Sequence, residues 1–349
     1  MICFVAPKQE TWCMESYLGQ DGRQLADRIR ILTYEEIAAT QQIQLGAYIF
    51  AAIDQLSKTE KEIAELCCER LSAESAEIKL LNHPGKVLCR YRLLSQCFEM
   101  KRNTYKVNRV SGLFDRLNFP VFIRNERRHT GSLTRLLHSR GQLTAALAKA
   151  IAQGNLPRDL MIVEYRDTAD PSGIFREYNA QIVGGRIIPQ GLVHSHNWIT
   201  KWKGRLVDAE KAREEAEYVR ANPYSNWLKE TFQMANIQYG RIDYGVKDGV
   251  PQVWEINTNP MISRPQTWGT SGLTAAQRTL REPVRSQFFR ELAAALIAVD
   301  CQQEPGKTVR IDVSPSQSRN LQREKRWLHR GKQWDWRTGR IVNTRSYRV

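Results

Sequence analysis

The chain lacks any long apolar run. Its longest, around 293–299, falls far short of the roughly 20 residues a bilayer-spanning helix needs, so no membrane segment is expected. Zinc-type spacing is missing too. The seven cysteines include the adjacent pair Cys67-Cys68, but no C-x-x-C and no Cys/His repeat. That argues against a zinc ribbon or finger and for reduced, mostly buried thiols in a cytoplasmic protein. The opening Met-Ile-Cys-Phe-Val-Ala-Pro has no basic stretch ahead of a long apolar core, so it reads as a buried first strand and not as a signal peptide. Acids are scarce relative to bases: 37 Asp and Glu against 52 Lys and Arg leave a net charge of +15, which favours anionic partners such as nucleotides, phosphates, acidic peptides, nucleic acid or a membrane surface. With 349 residues and 42% hydrophobic content, two or three domains with real cores are expected.

What is present is a hairpin with chemistry on it. Residues 239–260 read YGRIDYGVKDGVPQVWEINTNP. Asp248-Gly249 between two β-rich runs is a strong short-range hairpin signal. Alternate residues on a strand share a face, so Glu255 and Asn257 point the same way, and the turn brings Asp243 back beside them. Two carboxylates and an amide oxygen make an all-oxygen site, which suits magnesium.

These residues resemble the metal-binding hairpin of the ATP-grasp ligases, closest in wording to D-alanine–D-alanine ligase and glutathione synthetase. The ribosomal-protein glutamate ligases belong to the same group. The resemblance spans roughly residues 80–300. It implies that Asp243, Glu255 and Asn257 hold magnesium on ATP, and that Arg241, two before the Asp, stabilises the acyl-phosphate and the intermediate after it. Other pieces occur in the family's order. A basic residue ahead of a Leu-Leu helix touches the phosphates there, and Lys86 and Arg90 are both candidates for it, a solvated helix face being the alternative. The strand Pro120–Arg124 ends in Arg124 where the family usually has Lys, and the polar loop after it, with His129 and Gly131, is placed to lay backbone N–H groups over phosphates. Arg can serve in place of Lys, bidentately. Glu164 and Tyr165 end the apolar strand LMIVEY at the adenine hinge; Asp167 or Asp170 is a candidate for the sugar, or part of a wet loop. Arg176 sits at the start of a second hairpin, Gly173–Pro189, and would reach the phosphate or substrate pocket.

The rest of the chain is read from pattern. Ile2–Pro7, Arg28–Tyr34 and Glu77–Asn82 are strand candidates, and Ser57–Leu71 is a helix with a capping box formed by Ser57 and Glu60. Helices are expected over Lys86–Phe98, Leu133–Ala152, Ala209–Asn222, Pro223–Ala235 and Arg285–Val299. His194 and His196 have no third ligand nearby and read as structural or pocket histidines. Lys201 and Lys203 add positive charge near the cleft, and a loop at 263–270 carries Trp268. After Cys301 the composition turns basic, with Trp327, Trp334 and Trp336 interleaved. A surface extension pinned by Trp is preferred there over a nucleic-acid-binding tail.

The expected fold is α/β: an N-terminal pre-grasp domain (1–90), a two-lobed grasp module (91–165 and 166–300) and a basic extension (301–349). The expected function is an ATP- and magnesium-dependent carboxylate–amine or carboxylate–thiol ligase. Its partners would be small-molecule or peptide acids and amines, and its oligomeric state is left open. The other reading is a catalytically silent grasp fold that binds nucleotide or a polyanion through its basic surface.

Overall fold

The computed structural model describes residues 1–110, 116–127, 131–200, 204–264, 272–301, 306–329, 332–335 and 340–343, from 324 onward by backbone alone. The first unit carries β1 (Ile2–Ala6), α1 (Trp12–Leu18), β2 (Ile29–Thr33), α2 (Tyr34–Thr40), β3 (Gln42–Gln44), β4 (Ala47–Phe50), α3 (Lys58–Glu74) and β5 (Leu80–Leu81). Its parallel sheet has the order β2-β1-β4-β5. Every residue of β1 is buried because both faces are covered. Ile2, Phe4 and Ala6 face α1 and a later helix; Cys3 and Val5 face α2 and α3. The expected capping box starts α3: Glu60 N–H donates to Ser57 Oγ at 3.2 Å and Ser57 N–H to Glu60 Oε2 at 2.8 Å. All seven cysteines are free, and five of them are buried.

The second unit holds α4 (Arg90–Glu99), β6 (Val107–Arg109), β7 (Val121–Asn125), α5 (Arg140–Ala152) and β8 (Leu160–Glu164), with an antiparallel sheet β6-β8-β7. Two helix starts differ from expectation. Lys86 sits in the turn after Asn82, its N–H on His83 O at 2.9 Å, and α4 begins only at Arg90. Residues 132–137 are not helical but bend between two isolated bridges to β7. Leu133 N–H reaches Ile123 O and Leu137 N–H reaches Val121 O, both at 2.8 Å, so the backbone pairs with β7 before Ser139 caps α5.

The third unit holds β9 (Phe175–Val183), β10 (Arg186–Ser195), β11 (Arg205–Leu206), α6 (Ala209–Ala221), α7 (Ser225–Met234), β12 (Tyr239–Lys247), β13 (Val250–Asn257) and α8 (Ala275–Val299). Its five strands form an antiparallel sheet in the order β11-β10-β9-β12-β13. The second hairpin runs longer than its expected end at Pro189. The last helix starts ten residues before Arg285, with a capping box between Thr274 and Gln277, and runs through Pro283. One core cluster joins Leu93, Leu94 and Met161 of the second unit to Ile242, Tyr244 and Val253 of the third. Lys201, Lys203 and Trp268 lie outside the described residues.

The final segment has β14 (Thr308–Arg310), α9 (Pro315–His329), β15 (Lys332–Asp335) and β16 (Arg340–Asn343). It is not all a surface extension. β14 pairs antiparallel with β3, and Val309, Ile311, Val313 and Leu321 are buried in the core of the first unit. No helix of the described residues is long and apolar enough to cross a membrane.

Ile311 is fully buried in that cluster. Ile311→Ala is expected to lower unfolding stability by about 2–4 kcal/mol, read from urea denaturation. A loss below about 0.5 kcal/mol would mean that the final segment is not part of this core.

Candidate active site

The hairpin β12–β13 turns at Asp248 and Gly249, both at positive φ (52° and 76°), as a tight antiparallel turn requires. Its register sets Asp243 opposite Glu255 and Arg241 opposite Asn257. All four therefore share one face. Beyond Asp243 the register shifts, with Tyr244 opposite Val253, so Trp254 is the extra residue of a β-bulge. The bulge lets two consecutive residues, Trp254 and Glu255, line the same cleft.

Each carboxylate on this face already has partners. Arg241 donates to both oxygens of Asp243, Nε at 2.8 Å and Nη2 at 3.0 Å. Asn179, opposite Asp243 on β9, adds an amide donor at 2.8 Å. Burial works against the charge on Arg241, but Asp243, with Glu177 and Glu255 behind it, more than offsets this and holds its pKa above the ordinary value. Glu255 reaches across to the second unit. Its Oε2 accepts from Arg90 at 2.8 Å and from Arg124 at the end of β7. Burial lowers the pKa of Arg90, and Glu255 resists the shift. Asn257 Oδ1 accepts Asn259 N–H at 2.8 Å, which fixes the amide through a short turn.

The cleft between the two sheets has a volume of about 550 Å³. Its charged lining is Glu177, Arg241, Asp243 and Glu255 from the third unit's sheet, with Arg124 reaching Glu255 from β7. Its aromatic and aliphatic lining is Phe122, Val163, Tyr165, Trp198 and Ile199. The rings of Phe122 and Trp198 stand 4.9 Å apart, and Tyr165 meets Trp198 edge-on at 5.6 Å. Aromatic side chains and charged groups lining one cleft suit a ligand with a planar ring at one end and charge at the other.

The sequence-derived residues divide between those the cleft gathers and those it does not. Arg124, Gly131, Glu164, Tyr165, Arg176, Arg241, Asp243 and Glu255 border it. Arg90 stands one contact behind, through Glu255. Lys86 is exposed in its turn and makes no part of the cleft wall. His129 lies outside the described residues. The Glu164 carboxylate is spent on the backbone, accepting Lys106 N–H at 3.1 Å and Asn118 N–H at 2.9 Å. Arg176 is engaged by Asp170 and Glu214, both at 2.6 Å, and Glu214 also binds His194 at 2.8 Å. That leaves Asp170 in an ion pair and makes His194 a structural residue.

Glu177, Trp198 and Thr200 were not singled out from the sequence. Glu177 was findable: it alternates with Asn179 on β9, and Asn179 lies opposite Asp243. Trp198 and Thr200 follow the hairpin in irregular chain, where no periodicity points to the cleft. Among the described residues, no three His, Cys, Asp or Glu side chains come together as a ready ligand set. Asp243, Glu255 and Asn257 still supply only hard oxygens and two negative charges, and that donor chemistry fits magnesium.

No family model matches the sequence, and no curated protein matches it. Solved structures are similar to it. D-alanine–D-alanine ligase from Bacillus anthracis, complexed with ATP, is 13% identical, the match covering 85% of this chain and 98% of that one at a TM-score of 0.46. ATP-grasp ligase PsnB, complexed with a minimal precursor, is 10% identical over 85% of this chain and 99% of its own, at a TM-score of 0.47. The L-amino acid ligase from Bacillus licheniformis is 10% identical over 83% and 74%, at a TM-score of 0.40. At such identities and scores the chemistry has to come from this chain's own residues.

The Glu177 carboxyl accepts from Thr200, and desolvation, reinforced by the charge of Asp243, pushes its pKa up to about 7 from 4.5. The folded chain then binds more protons than the unfolded one between those values, so this group costs stability as pH rises through the window. Glu177→Gln is expected to be more stable than wild type at pH 8, by on the order of 1–3 kcal/mol, and to lose that advantage near pH 5. Denaturation at the two pH values reads it. Equal stability at both would refute the protonated Glu177.

Proposed function

We propose that the chain is an ATP- and magnesium-dependent ligase of the ATP-grasp type, joining a carboxylate to an amine or thiol. One observation carries this reading: the register of β12 and β13 gathers Arg241, Asp243, Glu255 and Asn257 on one face, with Arg124 reaching Glu255 from across the cleft. The sequence resemblance supports it, and so does the aromatic lining, which suits an adenine ring.

The reaction asks for positioning and charge neutralisation, and no protein nucleophile is needed. A substrate carboxylate oxygen attacks the γ-phosphorus of ATP and the bond to ADP breaks. The amine lone pair then forms the bond to the acyl carbon, phosphate leaves, and the amine proton passes to solvent. Phe122, Tyr165 and Trp198 hold the base. Arg124 meets the phosphates in the ground state. Arg241 lies beside Asp243 on the strand, where transferred phosphoryl and carboxyl oxygens gather, and stabilises charge as it develops there. Asp243, Glu255 and Asn257 would hold magnesium, which neutralises phosphate charge when bound.

Magnesium-dependent ADP release with pooled candidate acids and amines tests the reading. Asp243→Asn and Glu255→Gln are expected to abolish it with the circular dichroism spectrum unchanged. Nucleotide binding without any ADP release, across the whole pool, would favour a silent nucleotide-binding protein instead.

The two arginines separate by stage. Arg241→Ala is expected to bind ATP nearly normally and turn over about 100-fold more slowly. Arg124→Ala is expected to show the affinity defect. Calorimetry beside steady-state kinetics reads both, and the reverse pattern would overturn their assignment.

A further inference from the structure

Glu255 is the proposed metal ligand that ties the third unit to the second through two arginines. Two guanidiniums, Arg90 Nη2 and Arg124 Nη2, converge on its single oxygen Oε2. A divalent cation approaching that oxygen meets two positive charges within ion-pair distance, on side chains largely withdrawn from solvent.

The two arginines differ in how they are fixed. Arg90 has a side chain only 3% exposed. Its Nη1 also donates to Glu126 O at 2.7 Å and Asn125 O at 3.4 Å, which ties it to the end of β7. Arg124 lines the cleft, and its other contact is a long one, Nη1 to Trp254 O at 3.5 Å. Its Nε is buried without an acceptor. A buried donor left unmet is costly, so Arg124 has a better arrangement available wherever an anion supplies acceptors.

We propose that Arg124 is a latch on Glu255: an anionic phosphate entering the cleft draws Arg124 away, and only then does the Glu255 carboxylate become available to a divalent cation. The inference rests on the nucleotide and metal reading above. It adds a binding order, in which metal enters with the nucleotide or after it. Arg90 stays in place and acts as the positioning residue that keeps the freed carboxylate aimed into the cleft. The device also keeps the acidic face from collecting divalent cations unproductively.

The test is equilibrium binding of Mn2+ to the full chain, followed by the electron paramagnetic resonance signal of the free ion. Four proteins are compared without nucleotide: wild type, Arg124→Gln, Arg124→Gln/Glu255→Gln and Arg166→Gln. Arg166 borders the same cleft and bears the same charge without touching Glu255. Arg124→Gln is expected to bind free Mn2+ about tenfold tighter than wild type, within the usual range of coupling between sites. Adding Glu255→Gln should cancel the gain, and Arg166→Gln should stay within about twofold of wild type. Wild type is then titrated with Mn2+ and a non-hydrolysable ATP analogue together. If wild type binds the two together but Arg124→Gln leaves free-Mn2+ affinity unchanged, or Arg166→Gln raises it equally, the latch is wrong and the nucleotide reading stands. If wild type binds no Mn2+ with the analogue, both fall.

Discussion

The antiparallel register between β12 and β13 is the constraint on which the cleft depends. Side chains alternate with a period of two, so a slip by one residue would send Glu255 and Asn257 to the opposite face from Asp243. Three features hold the register. Asp248 and Gly249 close a turn only two residues long. The bulge at Trp254 absorbs the one irregularity without reversing Glu255. Ile242, Tyr244 and Val253 anchor the other face of the hairpin in the shared core. Arg241 and Asp243 are then two residues apart on one strand, close enough for a two-pronged ion pair without help from any other element.

The charges of the cleft follow from the same placement. Carboxylates withdrawn from water need donors, and each finds guanidinium partners: Arg241 for Asp243, Arg90 and Arg124 for Glu255. These arginines neutralise acids that would otherwise oppose one another. Glu177 shows the contrast. Its one hydrogen bond among the described residues comes from a hydroxyl, and its proton affinity rises.

How much was legible in the sequence depended on the range of the interaction. The β12–β13 hairpin was readable because turn chemistry and alternation are local, and Asp243, Glu255 and Asn257 share a strand face as that alternation requires. The α3 capping box was readable for the same reason. Misreadings came where distant pairing overrides local pattern. Leu136 and Leu137 keep a helical spacing, yet the backbone there bonds to β7. Val309, Ile311 and Val313 looked like part of a polar tail because their partner, β3, lies some 260 positions earlier in the chain. Arg90 could not be chosen over Lys86 without knowing that α4 begins at Arg90 and aims it at Glu255. Glu164 was expected at the adenine hinge, and that its carboxylate is occupied could not be read, because the backbone N–H groups that bind it come from two separate loops.

The central claim is that this one sheet face and Arg124 together form a nucleotide and metal site. A crystal structure of the full chain with magnesium and a non-hydrolysable ATP analogue tests it most directly. The account predicts the base against Phe122, Tyr165 and Trp198, the phosphates on Arg124, and magnesium between Asp243, Glu255 and Asn257. A nucleotide bound elsewhere, or magnesium ligated by other side chains, would contradict it.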